Sequence, residues 1–134
     1  MKLAACILLL SAASLAAQQD EWLKLSLSPV DAPVDSLVAA GLTLSPESHA
    51  LELVVGFDNA CQAKVRATYQ AHGAVVKIRL EGPPAVRQCP AVHRPEAYRA
   101  RISGLKAKRY QVIVYTKNRR DQWQPWKAAV TEVS

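Results

Sequence analysis

Between residues 62 and 81 two alternating runs flank the pair His72-Gly73, and no other stretch restricts the fold as tightly. Glycine tolerates positive φ, so His72-Gly73 suits a two-residue hairpin turn. With the turn placed there, Tyr69 is expected opposite Val76, Ala67 opposite Ile78 and Val65 opposite Leu80. Every inward pair is then apolar, and Lys64, Arg66, Lys77 and Arg79 point outward. A slip of one residue would carry those charges into the core, because side chains on a strand alternate between its two faces. The segment therefore reads as a hairpin with one buried face.

The same period-two alternation recurs along the chain, separated by turn residues every 8–15 positions, the pattern of an antiparallel all-β domain. Residues 22–28 place Leu23, Leu25 and Leu27 on one side and Lys24 and Ser26 on the other, until Pro29, Asp31 and Pro33 stop the strand. Residues 38–44 fit a strand poorly, and a short helical turn over 34–40 competes with it. Residues 49–57 set Leu51, Leu53, Val55 and Phe57 against Glu52 and Val54, and Asp58-Asn59-Ala60 makes a turn. Residues 82–97 form the longest irregular segment, with Pro83, Pro84, Pro90 and Pro95 excluding regular strand. Tyr98, Ala100 and Ile102 then alternate with Arg99 and Arg101. A run through Tyr110, Val112 and Val114 leads to the turn Asn118-Arg119-Arg120-Asp121 and a last strand over about 126–133. No internal repeat or low-complexity segment interrupts this order.

The N-terminus has a different character. Lys2 precedes an uncharged apolar run over 3–10, then small residues and plausible cleavage points after Ala16 or Ala17. That order is the secretory signal pattern, and the apolar run is shorter than the ~20 residues a spanning helix needs. Residues 1–17 are expected to be a signal peptide, and 18–134 a single β-sandwich domain, secreted or periplasmic. Cys6 sits at the start of the apolar run, where a lipoprotein cysteine would follow it, so it is expected to leave with the signal. Export leaves Cys61 and Cys89, for which pairing is the default in an oxidising compartment. Such a bond is worth ~3.6 kcal/mol by loop entropy; two buried free thiols are the other reading. It would clip residues 82–97 to the open end of the hairpin.

Charge divides unevenly. One Lys and seven Asp/Glu give residues 18–60 a charge of −6, and 15 Lys/Arg with four Asp/Glu give 61–134 a charge of +11. Either early acidic strands neutralise late basic ones as neighbours, or the basic half meets an anionic partner. The first reading is favoured. The outward residues Lys64, Arg66, Lys77, Arg79, Arg99 and Arg101 are candidates for one basic face, with Arg66 expected opposite Arg79.

The final third, from Ile102-Ser103-Gly104-Leu105 through the 110–115 strand to Asn118 and the closing 128–133 run, resembles fibronectin type III and related immunoglobulin-like modules. In that family a Leu before the penultimate strand and a Tyr at its start form a corner whose hydroxyl bonds back to nearby backbone. Leu105 and Tyr110 match, with spacing one residue shorter than usual, and Phe57 stands in for the early Trp. The stretch from Cys61 through Cys89 to the Tyr110 strand also looks like small exported bacterial sandwich domains of unassigned function. The resemblance implies an antiparallel immunoglobulin-like sandwich of about seven strands and says little of activity.

Catalytic and metal chemistry find no support in the residues. There is no Gly-x-Ser-x-Gly, and His49, His72 and His93 have no Ser, Cys or Asp at a diagnostic spacing. His72 reads as a turn residue and His49 as a strand-start residue; His93, beside Arg94 and Glu96, is the one to watch. Zinc needs three or four clustered ligands, calcium an alternating Asp/Asn loop, and neither is present. No cofactor is implied. Tyr115, Trp123 and Trp126 near the last turn read either as a platform for a sugar or protein or, for one Trp, as the end of the core. The expected function is a non-catalytic binding module for a protein, glycan or polyanion, with no specific nucleic acid and no membrane span. Its candidate residues are Trp123, Trp126, Tyr115, Arg87, His93, Arg94, Arg66, Lys77 and Arg79. A proteinase-inhibitor-like protein offering Arg87 or Arg94 on the 82–97 loop is the alternative, and a small hydrolase a third.

Overall fold

Alternating apolar residues can leave water only if two sheets close on each other, and this is what the chain does. The computed structural model describes residues 21–82 and 93–134. Its elements in order are β1 (Leu23–Leu25), β2 (Ser28–Pro29), α1 (Asp35–Ala40), β3 (Leu42–Glu47), β4 (Ala50–Asp58), β5 (Arg66–His72), β6 (Val75–Glu81), β7 (Pro95–Ser103), β8 (Lys108–Lys117) and β9 (Trp123–Val133). One sheet has the order β1-β5-β6-β8-β9 and the other β2-β7-β4-β3. The domain is all-β, with nine strands among the described residues. The count exceeds seven because the 22–28 run is split and because β3 forms over Leu42–Glu47, beside the helical turn. It pairs with β5 over Leu23–Leu25, then crosses to β7 with Ser28 and Pro29.

The core lies between the sheets. Leu51, Leu53, Val55 and Phe57 of β4 with Ala100 and Ile102 of β7 meet Val76, Ile78, Leu80, Val112 and Val114 of the other sheet. Each of the larger ones is worth ~1.5–3 kcal/mol of transfer free energy. β3 is an edge strand, and Pro46 within it costs no interior ladder bond.

The hairpin forms with its register displaced by two residues. Ala67 faces Leu80, Tyr69 faces Ile78 and Ala71 faces Val76, so the turn is Gly73-Ala74 and His72 ends β5 opposite Val75. Gly73 takes φ +59 at the first central position, where a two-residue turn needs it. A shift of two preserves face parity, and the expected side chains still face inward. It changes cross-strand partners, however: Arg66 faces Glu81 and Thr68 faces Arg79.

All pairings are antiparallel except β6 with β8, where Ile78 matches Val114 and Arg79 matches Tyr115. The chain leaves this sheet after β6, runs β7 in the other, and returns as β8. Two reversals restore the direction. A parallel pair needs such a crossover, whereas alternation along each strand is the same in either pairing.

Two other departures are local. β7 begins at Pro95, opposite Asp58, earlier than the expected Tyr98; proline is tolerated at the first position of a strand. β9 begins at Trp123, opposite Lys117, with a register irregularity at Val114/Tyr115. The Tyr110 hydroxyl donates to the Lys106 carbonyl at 3.1 Å, and Leu105 is buried. His49 lies in the turn before β4 at φ +53. Its backbone N–H donates to the Ser134 carbonyl at 2.8 Å and its Nδ1–H to the Leu105 carbonyl at 3.1 Å, joining three chain segments at one end.

The short α1 sits against β4 at Gly56. A Cβ there would overlap the Leu37 carbonyl, and the Gly56 N–H donates to the Gly41 carbonyl at 2.8 Å. Gly56→Ala is expected to destabilise the fold by about 1–3 kcal/mol, the usual cost of overpacking. Gly73→Asn, with open space and a conformation asparagine adopts, should cost less than about 0.5 kcal/mol. Denaturant melts of the two variants check this contrast.

Candidate functional site

The register carries a row of side chains across the outer face of the five-stranded sheet. Lys24 faces Thr68, Thr68 faces Arg79, Arg79 faces Tyr115 and Tyr115 faces Pro125. Strands lie ~4.8 Å apart, so five of them span ~19 Å. Paired residues share a face, and the next pairs along (Leu80 with Thr116, Ile78 with Val114) are buried. The row is therefore the solvent side of the central strands.

Arg79 is its centre. The guanidinium carbon lies 4.0 Å from the Trp22 ring centroid and 5.3 Å from that of Trp123. Lys117 Nζ approaches the Trp123 ring at 5.1 Å. Trp22, just before β1, and strands β6, β8 and β9 thus meet through cation–indole contacts, each worth ~0.5–1 kcal/mol where exposed. Trp22 is absent from the sequence-derived candidates. Its one available signal is that it shares the Lys24 side of the first alternating run.

The expected aromatic group divides. Tyr115 and Trp123 lie on this face, but Trp126 falls at the β9 irregularity and packs against the core, with Lys127 Nζ 5.8 Å from its ring. The expected single basic face also divides. Arg66, Lys77 and Arg79 belong to the five-stranded sheet, whereas Arg99 and Arg101 belong to the four-stranded sheet. There Arg99 meets Glu52 at 2.6 Å and Arg101 meets Glu47 at 2.8 Å. Early acidic and late basic strands do neutralise each other on that side. Arg66, expected opposite Arg79, pairs instead with Glu81 at 3.4 Å. Among the described residues, Lys24, Lys77 and Arg79 have no carboxylate within 4.0 Å.

Beside this face, β1 and β5 separate as the chain crosses toward β2. A cleft of about 620 Å³ opens there, lined by Leu25, Leu27 and Val65 with Lys24, Lys64 and Arg66 around it.

A polar cluster fixes one end of the sandwich. Buried Asn59 donates to Glu96 Oε1 at 2.9 Å and to the Ala63 carbonyl at 3.0 Å, and accepts from the Ala63 N–H at 3.0 Å. Tyr98 donates its hydroxyl to Glu96 Oε1 at 2.8 Å, and Arg94 Nε donates to Oε2 at 3.1 Å. Burial raises the Glu96 carboxyl, but these three donors outweigh it, so its pKa lies below the ordinary 4.5. The same contact, after burial, raises the Tyr98 hydroxyl. Asp58 accepts from the Arg94 N–H at 2.8 Å and from His93 Nδ1 at 2.7 Å, which lower its carboxyl below 3.8. An ionised carboxylate only accepts, so Nδ1 carries the proton. His93 and Arg94 therefore have structural partners. Arg87 and Cys89 lie outside the described residues, as do residues 1–20. Cys61 is half-buried in the β4–β5 connection that Asn59 organises. Glu81 and Lys117 end parallel neighbouring strands, so Gly82 and the 118–121 turn lie at the same end.

Among the described residues no group of three or more His, Cys, Asp or Glu side chains is placed to hold a metal ion, and no helix is long and apolar enough to cross a membrane. No family model, curated protein or solved structure matches this chain.

A carboxylate with a depressed pKa stabilises the fold above its unfolded value and loses that contribution as pH falls through its folded pKa. Glu96→Gln is expected to cost about 1–2 kcal/mol at pH 7. The gap from wild type should close as pH drops below about 4.5. Urea melts of both proteins between pH 7 and pH 3 measure it; a gap independent of pH contradicts the assignment.

Proposed function

We propose that this chain is an exported, non-catalytic binding module whose binding surface is the outer face of the five-stranded sheet and whose partner is anionic. One observation carries the reading: the contrast between the two outer faces. On the four-stranded sheet Arg99 and Arg101 are matched by carboxylates. On the five-stranded sheet Arg79 lies over the rings of Trp22 and Trp123, Lys77 and Lys24 share its face, and no described carboxylate lies within 4.0 Å of the three. A cation without an internal partner is available to an external one, and stacking limits the side-chain entropy lost on binding.

Export is supported by the charge, apolar run and small-residue site of residues 1–17. In that compartment Cys61 and Cys89 would pair. The finer immunoglobulin-like reading is supported by the buried Leu105 and the Tyr110 hydroxyl bond; the parallel β6–β8 pair departs from the antiparallel pattern. The inhibitor reading draws no support from Arg94, whose guanidinium is bonded to Glu96.

On a heparin column the protein is expected to elute later than its net charge implies, with a steep salt dependence. The double variant Lys77→Ala/Arg79→Ala should lower the log–log salt slope by about one per cation removed. The variant Arg99→Ala/Arg101→Ala, with the same formal charge loss, should change it little. Equal effects from both would remove the face from consideration. Alkylation of the exported, denatured but unreduced protein should label neither Cys61 nor Cys89; labelling would exclude the disulfide.

A further inference from the structure

We infer that the row Lys24–Thr68–Arg79–Tyr115 receives an acidic polysaccharide lying across the strands, with the Arg79 guanidinium taking a uronate carboxylate and the Tyr115 ring lying against a sugar. The inference rests on the anionic-partner reading and adds the ligand's class.

Three features of the row set the chemistry. The first is how Arg79 is presented. The indoles of Trp22 and Trp123, with centroids 4.0 and 5.3 Å from its Cζ, hold the guanidinium in place without neutralising it. A guanidinium is a planar fork of N–H donors that matches a carboxylate in two parallel hydrogen bonds. The second is Tyr115, the cross-strand neighbour of Arg79. Among the described residues it is the aromatic on this face with neither a cation on its ring nor a hydrogen bond on its hydroxyl. A half-buried ring with a free hydroxyl suits a sugar, which presents C–H groups on its face and hydroxyls at its edge. The third is shape. Continued to Pro125, the row is a strip ~19 Å long across five strands, open at its β1 end to the cleft lined by Lys24, Lys64 and the Arg66–Glu81 pair. A strip accommodates a linear polymer with charges at intervals better than it encloses a small molecule.

The same features count against other polymers. The buried core of a protein interface is depleted of lysine, although rich in arginine and aromatics, and here Lys24 and Lys77 share the face with Arg79. Leu23 and Val130 are the exposed large hydrophobics of the described residues, and neither lies in the row. Single-stranded nucleic acid needs successive free ring faces for its bases, and the row offers one.

The test is tryptophan fluorescence titration of the mature chain with polygalacturonate, poly-glutamate, a neutral β-glucan and a single-stranded thymidine oligonucleotide, at one low salt concentration. Because Trp22 and Trp123 flank Arg79, occupancy should change their emission. Polygalacturonate is expected to bind at least tenfold more tightly than poly-glutamate or the oligonucleotide, and the neutral glucan not at all. Arg79→Lys keeps the charge but loses the fork, and should weaken polygalacturonate binding at least tenfold at unchanged Tm. Lys77→Gln, at an exposed position, should weaken it two- to fivefold. Tyr115→Ala should abolish the preference over poly-glutamate. Poly-glutamate binding as tightly as polygalacturonate, the oligonucleotide binding more tightly, or wild-type affinity in both Arg79→Lys and Lys77→Gln would each overturn the inference. If the heparin behaviour still depends on Lys77 and Arg79 while polygalacturonate shows no preference, the ligand class alone falls. If neither depends on them, the face falls as well.

Discussion

The parallel ladder between β6 and β8 holds the centre of the molecule and sets both of its surfaces. Inward it aligns Val76 with Val112, Ile78 with Val114 and Leu80 with Thr116, the middle of the buried layer. Outward it aligns Arg79 with Tyr115 and Lys77 with Ile113. One hydrogen-bonded register therefore determines at once what packs in the core and what is displayed to solvent. The pairing exists because β7 intervenes in the opposite sheet, so the excursion through Pro95–Ser103 also brings Arg79 and Tyr115 together.

Polar interactions divide between the two ends of the sandwich and its two faces, with different roles. At one end the Asn59 and Glu96 network satisfies a buried amide and a partly buried carboxylate together, which is how a polar group tolerates burial. At the other, His49 gathers the C-terminus and the turn before β8. On the outer face of the four-stranded sheet, carboxylates of β3 and β4 answer arginines of β7. The five-stranded sheet differs in composition because β1, β6 and β9 bring tryptophans and cations to a place where few carboxylates fall. Aromatic rings then do part of what carboxylates do opposite, holding Arg79 in place without cancelling its charge.

Much of this was legible from alternation. The inward residues of β4, β5, β6, β7 and β8 follow from period two alone, since a side chain's face depends only on its position in its own strand. The short helix before β3 and the Asn118 turn were also visible, because each depends on residues close in sequence. Cross-strand partners were less accessible. The hairpin register differs by two from the one alternation suggests, since a displacement of two leaves every face unchanged and only turn geometry separates the alternatives. Trp126 departs from Trp123 because of an irregularity in the β9 register that cannot be read from the strand's own composition.

The sequence by itself determined that this chain forms two-faced strands with a shared apolar interior, because burial of alternating residues is a local property of the backbone. Which strands become neighbours was decided only in the tertiary structure. The parallel β6–β8 pair, the separation of Arg99 and Arg101 from Arg79, and the approach of Trp22 to Trp123 across the sheet all depend on contacts between residues far apart in the chain. The energies that select them come from closing the whole sandwich at once, and no single segment carries that information.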